Sequence, residues 1–101
     1  MEVSVANANG QAVLSLQGRF DFNSHREFRA AADRALNDNA VKAIQVDFSG
    51  VDYLDSSALG MLLMLRDRCK STGKEVSLAH AHGAAKQILD VANFGKLFVI
   101  V

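Results

Sequence analysis

Two adjacent serines, Ser56 and Ser57, stand where an alternating, strand-like stretch (41–48) gives way to a helix-like one (about 57–71). A loop-to-helix junction gathers unpaired backbone N–H groups and the positive end of the helix dipole, so it suits an anion. Two uses of a serine fit such a place. One hydroxyl could cap the helix by accepting an orphan N–H. Alternatively, one could carry a phosphoryl group, which adds roughly 1.5 to 2 negative charges. The carboxylates of Asp55, Asp52 and Asp21 would repel such a group. The mark would therefore change how a partner binds rather than refold the domain.

Other chemistries fit less well. A serine hydrolase needs a base and an orienting group, commonly with a Gly-x-Ser-x-Gly elbow, and neither serine has that context. His25, His80 and His82 show no spacing that places one beside the serines; His80 reads as a core-edge strand residue and His82 as a loop residue. Two histidines at i and i+2 without a third ligand do not make a metal site. Asp47 closes a strand, but the earlier strand ends in Gln17-Gly18-Arg19 and lacks the acidic pair that an aspartate-phosphorylated Mg²⁺ site requires. No enzyme activity, cofactor or metal is expected.

The elements that must position the serines follow from periodicity. Residues 2–7 and 11–17 alternate around the turn Ala8-Asn9-Gly10 and predict a hairpin. Ser24-His25-Arg26-Glu27 matches a capping box, with Ser24 as N-cap and Phe28, Ala31, Ala32, Ala35 and Leu36 at helical spacing behind it. Ile44, Val46 and Phe48 alternate in a third strand, and Gly73 is placed to stop the second helix. Val76, Leu78 and His80 predict a fourth strand. A third helix follows Gly83, and residues 97–101 predict a last strand. The order ββαβαβαβ implies an α/β fold: a mixed, mostly parallel sheet with right-handed crossovers. Helices are expected mainly on one face, because the strands are only half apolar.

On the second helix, Ala58, Leu62, Leu65 and Cys69 form one stripe, expected against the sheet. Gly60, Met64, Asp67 and Ser71 form the opposite stripe, with Leu63 at its flank. Glycine in a helix costs up to ~1 kcal/mol relative to alanine, so Gly60 suggests a need for a flat surface. Met64 and Leu63 would then be either a docking surface for a protein or residues packed under a loop.

Composition narrows the partners. The 101 residues carry 11 Lys plus Arg and 11 Asp plus Glu, for zero formal net charge. No basic surplus points to nucleic acid, and no polybasic run to anionic lipid. Half the residues are hydrophobic and 22% are charged, which fits one globular domain over 1–101. The lone Cys69 excludes an intramolecular disulfide and reads as a buried apolar residue. The N-terminus has no signal-peptide pattern and no run reaches the ~20 apolar residues of a membrane helix, so a cytoplasmic protein without membrane insertion is expected.

Asp55-Ser56-Ser57-Ala58-Leu59-Gly60 resembles the Asp-Ser-Ser/Thr-Gly-Leu-Gly signature of STAS domains, specifically of bacterial anti-sigma factor antagonists. Gly18-Arg19-Phe20-Asp21, Val46-Asp47-Phe48-Ser49-Gly50-Val51 and the segment 89–97 resemble that family's landmarks in order, so the likeness spans nearly the whole chain. It implies that Ser56 is the phosphoryl acceptor, with Asp21 and Asp55 at acidic positions near it. Together with Ser57, Ala58 and the helix-face residues Gly60, Leu63 and Met64, these make up the expected partner-binding surface. It also implies an anti-sigma factor, often itself a serine kinase, as partner and a metal-dependent protein phosphatase that removes the mark. STAS domains also serve as subunits of transport or sensory assemblies without a phosphorylation cycle, which is the alternative function. Two departures stand out. Ala58 replaces the usual glycine, placing a methyl beside the acceptor where it would tune partner fit. The chain as given ends at Val101, so the C-terminal helix common in relatives is expected to be missing.

Overall fold

The computed structural model describes residues 1–101. Strand β1 (Glu2–Ala8) turns back into β2 (Gln11–Gln17) through Asn9 and Gly10, both at positive φ (54° and 82°). Positive φ at both central residues is what a two-residue hairpin turn matching the strand twist requires, and Asn-Gly meets it at little cost. Then follow α1 (His25–Leu36), β3 (Ala43–Gly50), α2 (Ser56–Ser71), β4 (Glu75–Ala79), α3 (Gly83–Val91) and β5 (Val99–Ile100). The five strands pair in chain order, β1 with β2 antiparallel and the others parallel.

Register explains the core. Val5, Leu14, Val46 and Leu78 lie across from one another in successive strands and so share a face, as do Ala12, Ile44 and Val76. That face meets the buried stripes of α1 (Phe28, Ala31, Ala32, Ala35, Leu36) and α2 (Ala58, Met61, Leu62, Leu65, Cys69), with Ala85 and Leu89 of α3, in one hydrophobic cluster. The other face presents half-buried Val13, Ser15, Ala43, Gln45 and Ser77 and carries no helix. Each fully buried Leu or Phe contributes ~1.5–3 kcal/mol, so this single layer of helices supplies most of the fold's driving force.

Three local expectations are corrected. Ser24 does not cap α1: its backbone is already helical (φ −87°, ψ −4°) and its side chain makes no cap bond to α1. A 3-10 turn, Phe22–Ser24, precedes the helix, and the capping box lies three residues upstream, with Asp21 accepting from Asn23 N. Ser24 Oγ is buried there, donating to Arg19 O (2.9 Å) and accepting from Asp21 N (3.1 Å). The last strand is shorter than 97–101. Asn93 at φ 60° opens a second 3-10 turn, Phe94–Lys96, which buries Phe94 and Phe98 with stacked rings (centroids 5.3 Å apart). Only Val99 and Ile100 remain to pair with Ser77 and Leu78. His80 lies past the end of β4 at φ 61° and is exposed, not at the core edge.

Candidate functional site

The start of α2 is fastened from below. Gly18 N donates to Gly50 O (3.0 Å) at the end of β3, and Val51 N closes a turn onto Phe48 O (2.9 Å). An isolated bridge then pairs Phe20 with Leu54: Phe20 N donates to Tyr53 O (3.1 Å) and Asp55 N to Phe20 O (3.2 Å). Both bridge residues are buried, and the Phe20 ring packs near Phe28 and Phe48 (centroids 5.1 and 6.3 Å). The chain therefore leaves the bridge extended and becomes helical only after Asp55.

This settles which residue caps the helix. Asp55, in extended conformation, accepts the N–H of Ala58 on Oδ1 (3.0 Å) and that of Phe22 on Oδ2 (3.3 Å). The capping role considered for Ser56 or Ser57 is thus filled by the preceding aspartate, and both serines stand inside the first turn. Ser56 is exposed and Ser57 half-buried. Removing the Asp55 carboxylate strands two donors at once. Asp55→Ala is expected to cost ~1–2 kcal/mol and Asp55→Asn much less, since an amide oxygen also caps; thermal melts of the two variants check this.

The other residues named for this surface divide. Gly60 is exposed, and a methyl added there would meet nothing within 4 Å, so internal packing does not demand the glycine. Met64 is 48% exposed on the same helix face, whereas Leu63 is half-buried against the core and belongs partly to each of its two anticipated roles. Ala58 is a correction: its methyl is fully buried in the sheet-facing stripe and cannot touch a partner there. Asp21 is held in place, with Oδ2 3.2 Å from Arg19 Nε, and the Arg19 guanidinium lies 4.1 Å from the centre of the Tyr53 ring. The arginine pairs with this carboxylate at the head of the turn that leads into α1. Asp52 remains exposed. The sequence reading missed Phe22, which is 74% exposed with its backbone N–H on Asp55. An aromatic beside a strand exit reads as core, and only its place in a turn capped by Asp21 could have suggested otherwise.

His80 and His82 are engaged away from the serines. His80 Nδ1 is 3.2 Å from Asp47 Oδ1, and His82 Nε2 is 3.1 Å from Ser49 O, joining the end of β3 to the loop before α3. Burial would raise the Asp47 pKa, but hydrogen bonds from Ser49, including its N–H at 2.8 Å, and the His80 contact outweigh it and hold the carboxyl below its ordinary 3.8. A depressed folded-state value means that this stabilisation is complete above 3.8 and is lost as pH falls through the folded value. Asp47→Asn should therefore flatten the acid limb of a plot of urea midpoint against pH while leaving its shape near neutrality.

No helix is long and apolar enough to cross a membrane. A family model described as "Mlab, STAS domain" matches residues 3–101. A STAS-domain containing protein of Pseudomonas aeruginosa is 41% identical over 98 residues, covering 96% of this chain and 95% of that protein. The anti-sigma factor antagonist SpoIIAA in its unphosphorylated form superposes with a TM-score of 0.76 at 20% identity, covering 98% of this chain and 86% of that one. The phosphorylated form of SpoIIAA from Bacillus gives 0.74 at 18% identity, covering 98% and 90%. A sulfate transporter family protein from Wolinella succinogenes gives 0.76 at 15% identity, covering 90% and 73%. These solved structures share the fold, and the family match runs nearly end to end. The chain belongs to the STAS-domain family.

Proposed function

We propose that this protein is a non-enzymatic, cytoplasmic switch that antagonises an anti-sigma factor. The unphosphorylated form binds the anti-sigma factor and frees the sigma factor. A serine kinase, which can be the anti-sigma factor itself, phosphorylates Ser56 and weakens the complex, and a protein phosphatase reverses the mark. The observation that carries this reading is the division of labour at the start of α2. Asp55 takes the capping duty, so the exposed Ser56 hydroxyl is not needed by the fold. A hydroxyl free of structural work at a helix N-terminus can accept a phosphoryl group without unfolding the helix. Around it, Phe22, Gly60 and Met64 offer an exposed, partly apolar surface for the reader, with Asp21, Asp55 and Ser57 at its border. The likeness to SpoIIAA, an anti-sigma factor antagonist, supports the same role.

The test is capture from the native cytoplasm with wild type, Ser56→Ala and Ser56→Asp as baits, with partners identified by mass spectrometry. A sigma regulator retained by the first two and lost by the third supports the switch. Equal capture by all three, with no phosphate on Ser56 in cells, would overturn it and leave an adaptor role in a transport or sensory assembly.

A further inference from the structure

Strand β1 is an open edge of the sheet. It pairs with β2 alone, over all seven of its residues, so the main-chain groups along its outer side find no partner within the chain. Edge strands are normally guarded by lysine, proline, a bulge or sheer shortness. β5, at the opposite edge, is two residues long. β1 runs unbroken from Glu2 to Ala8 and its one charge, Glu2, stands at its end. It therefore keeps a template open to a further strand.

The helix beside this edge indicates which strand fits. α1 lies over β1 and β2, and because β2 and β3 are parallel it runs in the direction of β1. Glu27, Ala30 and Arg34 are exposed on one stripe of α1, at spacings of three and four, and they border a trough shared with Glu2, Val3 and Ser4 of β1. Neither Glu27 nor Arg34 takes part in an ion pair within the chain. The stripe is thus acidic at one end and basic at the other, with only the Ala30 methyl between. Such a stripe complements its own copy when the copy runs the opposite way.

We propose that β1 receives β1 of a second copy, antiparallel, about a two-fold axis beside Val3, joining the two sheets into one. In an isologous contact each residue of a pair is used twice, so Glu27 of each copy opposes Arg34 of the other. Glu2 falls opposite Ser4 of the other copy rather than opposite itself, and no like charges meet in the ladder. Strands repeat every ~4.8 Å, so helices seated over the outer two strands of each sheet run about 10 Å apart, a usual packing distance for two helices. The zero formal net charge adds little repulsion between copies. The association does not rest on the reading of Ser56.

Sedimentation velocity of the full-length protein over a range of concentrations at low salt tests this. Wild type should associate to a dimer. Glu27→Arg and Arg34→Glu, each alone, place like charges across the axis twice and should weaken that dimer about tenfold or more. An equimolar mixture of the two variants should recover the wild-type dimer, because opposite charges face each other again in the mixed pair. A reversal that had only damaged α1 would not be rescued by mixing. Wild type that stays monomeric throughout would overturn the proposal, as would a dimer that neither reversal weakens, or a mixture that recovers nothing.

Discussion

Under the proposed switch, Ser56→Asp is expected to weaken binding to the anti-sigma factor by ~100-fold or more, with Ser56→Ala binding as wild type does. Two effects contribute, and salt separates them. The new carboxylate joins Asp55, Asp52 and the Arg19-paired Asp21, and repulsion among charges that stay in water is worth a few-fold and fades with ionic strength. Beneath a partner, however, the charge must shed its hydration without gaining a counterion. An unpaired buried charge of that kind costs several kcal/mol and is poorly screened. Titration calorimetry at low and high salt should therefore recover only a small part of the loss. The fold itself should tolerate the change. An acid in the first turn of a helix interacts favourably with the dipole by ~0.3–1 kcal/mol, so the melting temperature should hold while affinity collapses. A matching loss of stability would mean that the serine does structural work after all.

The largest expected effect on stability lies at Gly50, one strand-end away from the serines. A methyl there would sit 2.7 Å from Leu16 O and 2.9 Å from Gln17 Cγ, with Gln17 Cα at 3.3 Å. The side chain could swing aside, but the carbonyl could not, because it belongs to the neighbouring strand. Gly50→Ala should therefore push β3 away from β2 at the bulge between Ser15 and Gln17 and strain the Gly18–Gly50 bond. Overpacking of this kind costs ~1–3 kcal/mol, and in a domain of this size each kcal/mol lowers the melting temperature by ~4–8 °C. Gly60→Ala is the matched control for stability. Its methyl meets nothing within 4 Å, and replacing a helical glycine should stabilise the domain by up to ~1 kcal/mol. Opposite shifts from two glycines in one motif region would separate a glycine kept for packing from one kept for the surface.

Much of this arrangement was readable in the chain. Ile44, Val46 and Phe48 alternate, and Ala58, Leu62, Leu65 and Cys69 recur at helical spacing; burial enforces both patterns, so they survive in the sequence. What escaped was decided by contacts between distant residues. Asp55, Ser56 and Ser57 are all good cap formers, and no local rule chooses among adjacent ones. The Phe20–Leu54 bridge makes the choice by fixing where the extended chain ends. Ser24 looked like a cap for the same local reason, until its hydroxyl was engaged by Arg19 and Asp21. Phe22 was overlooked because an aromatic side chain normally signals the interior. Ala58 lies at once in the motif and on the core face, and only the helix's rotation against the sheet shows that its methyl is sealed away.

The Phe20–Leu54 bridge also bears on time. The two bonds that seat the head of α2 run between main-chain atoms, and the bond that caps it uses Asp55, so none depends on the Ser56 hydroxyl. Under the proposed cycle, marked and unmarked copies then keep the same seating of α2. In that cycle no bond at the head of α2 distinguishes the two forms. The marked state lasts as long as the phosphatase allows, and the response follows the ratio of two interchangeable populations rather than any relaxation of the protein itself.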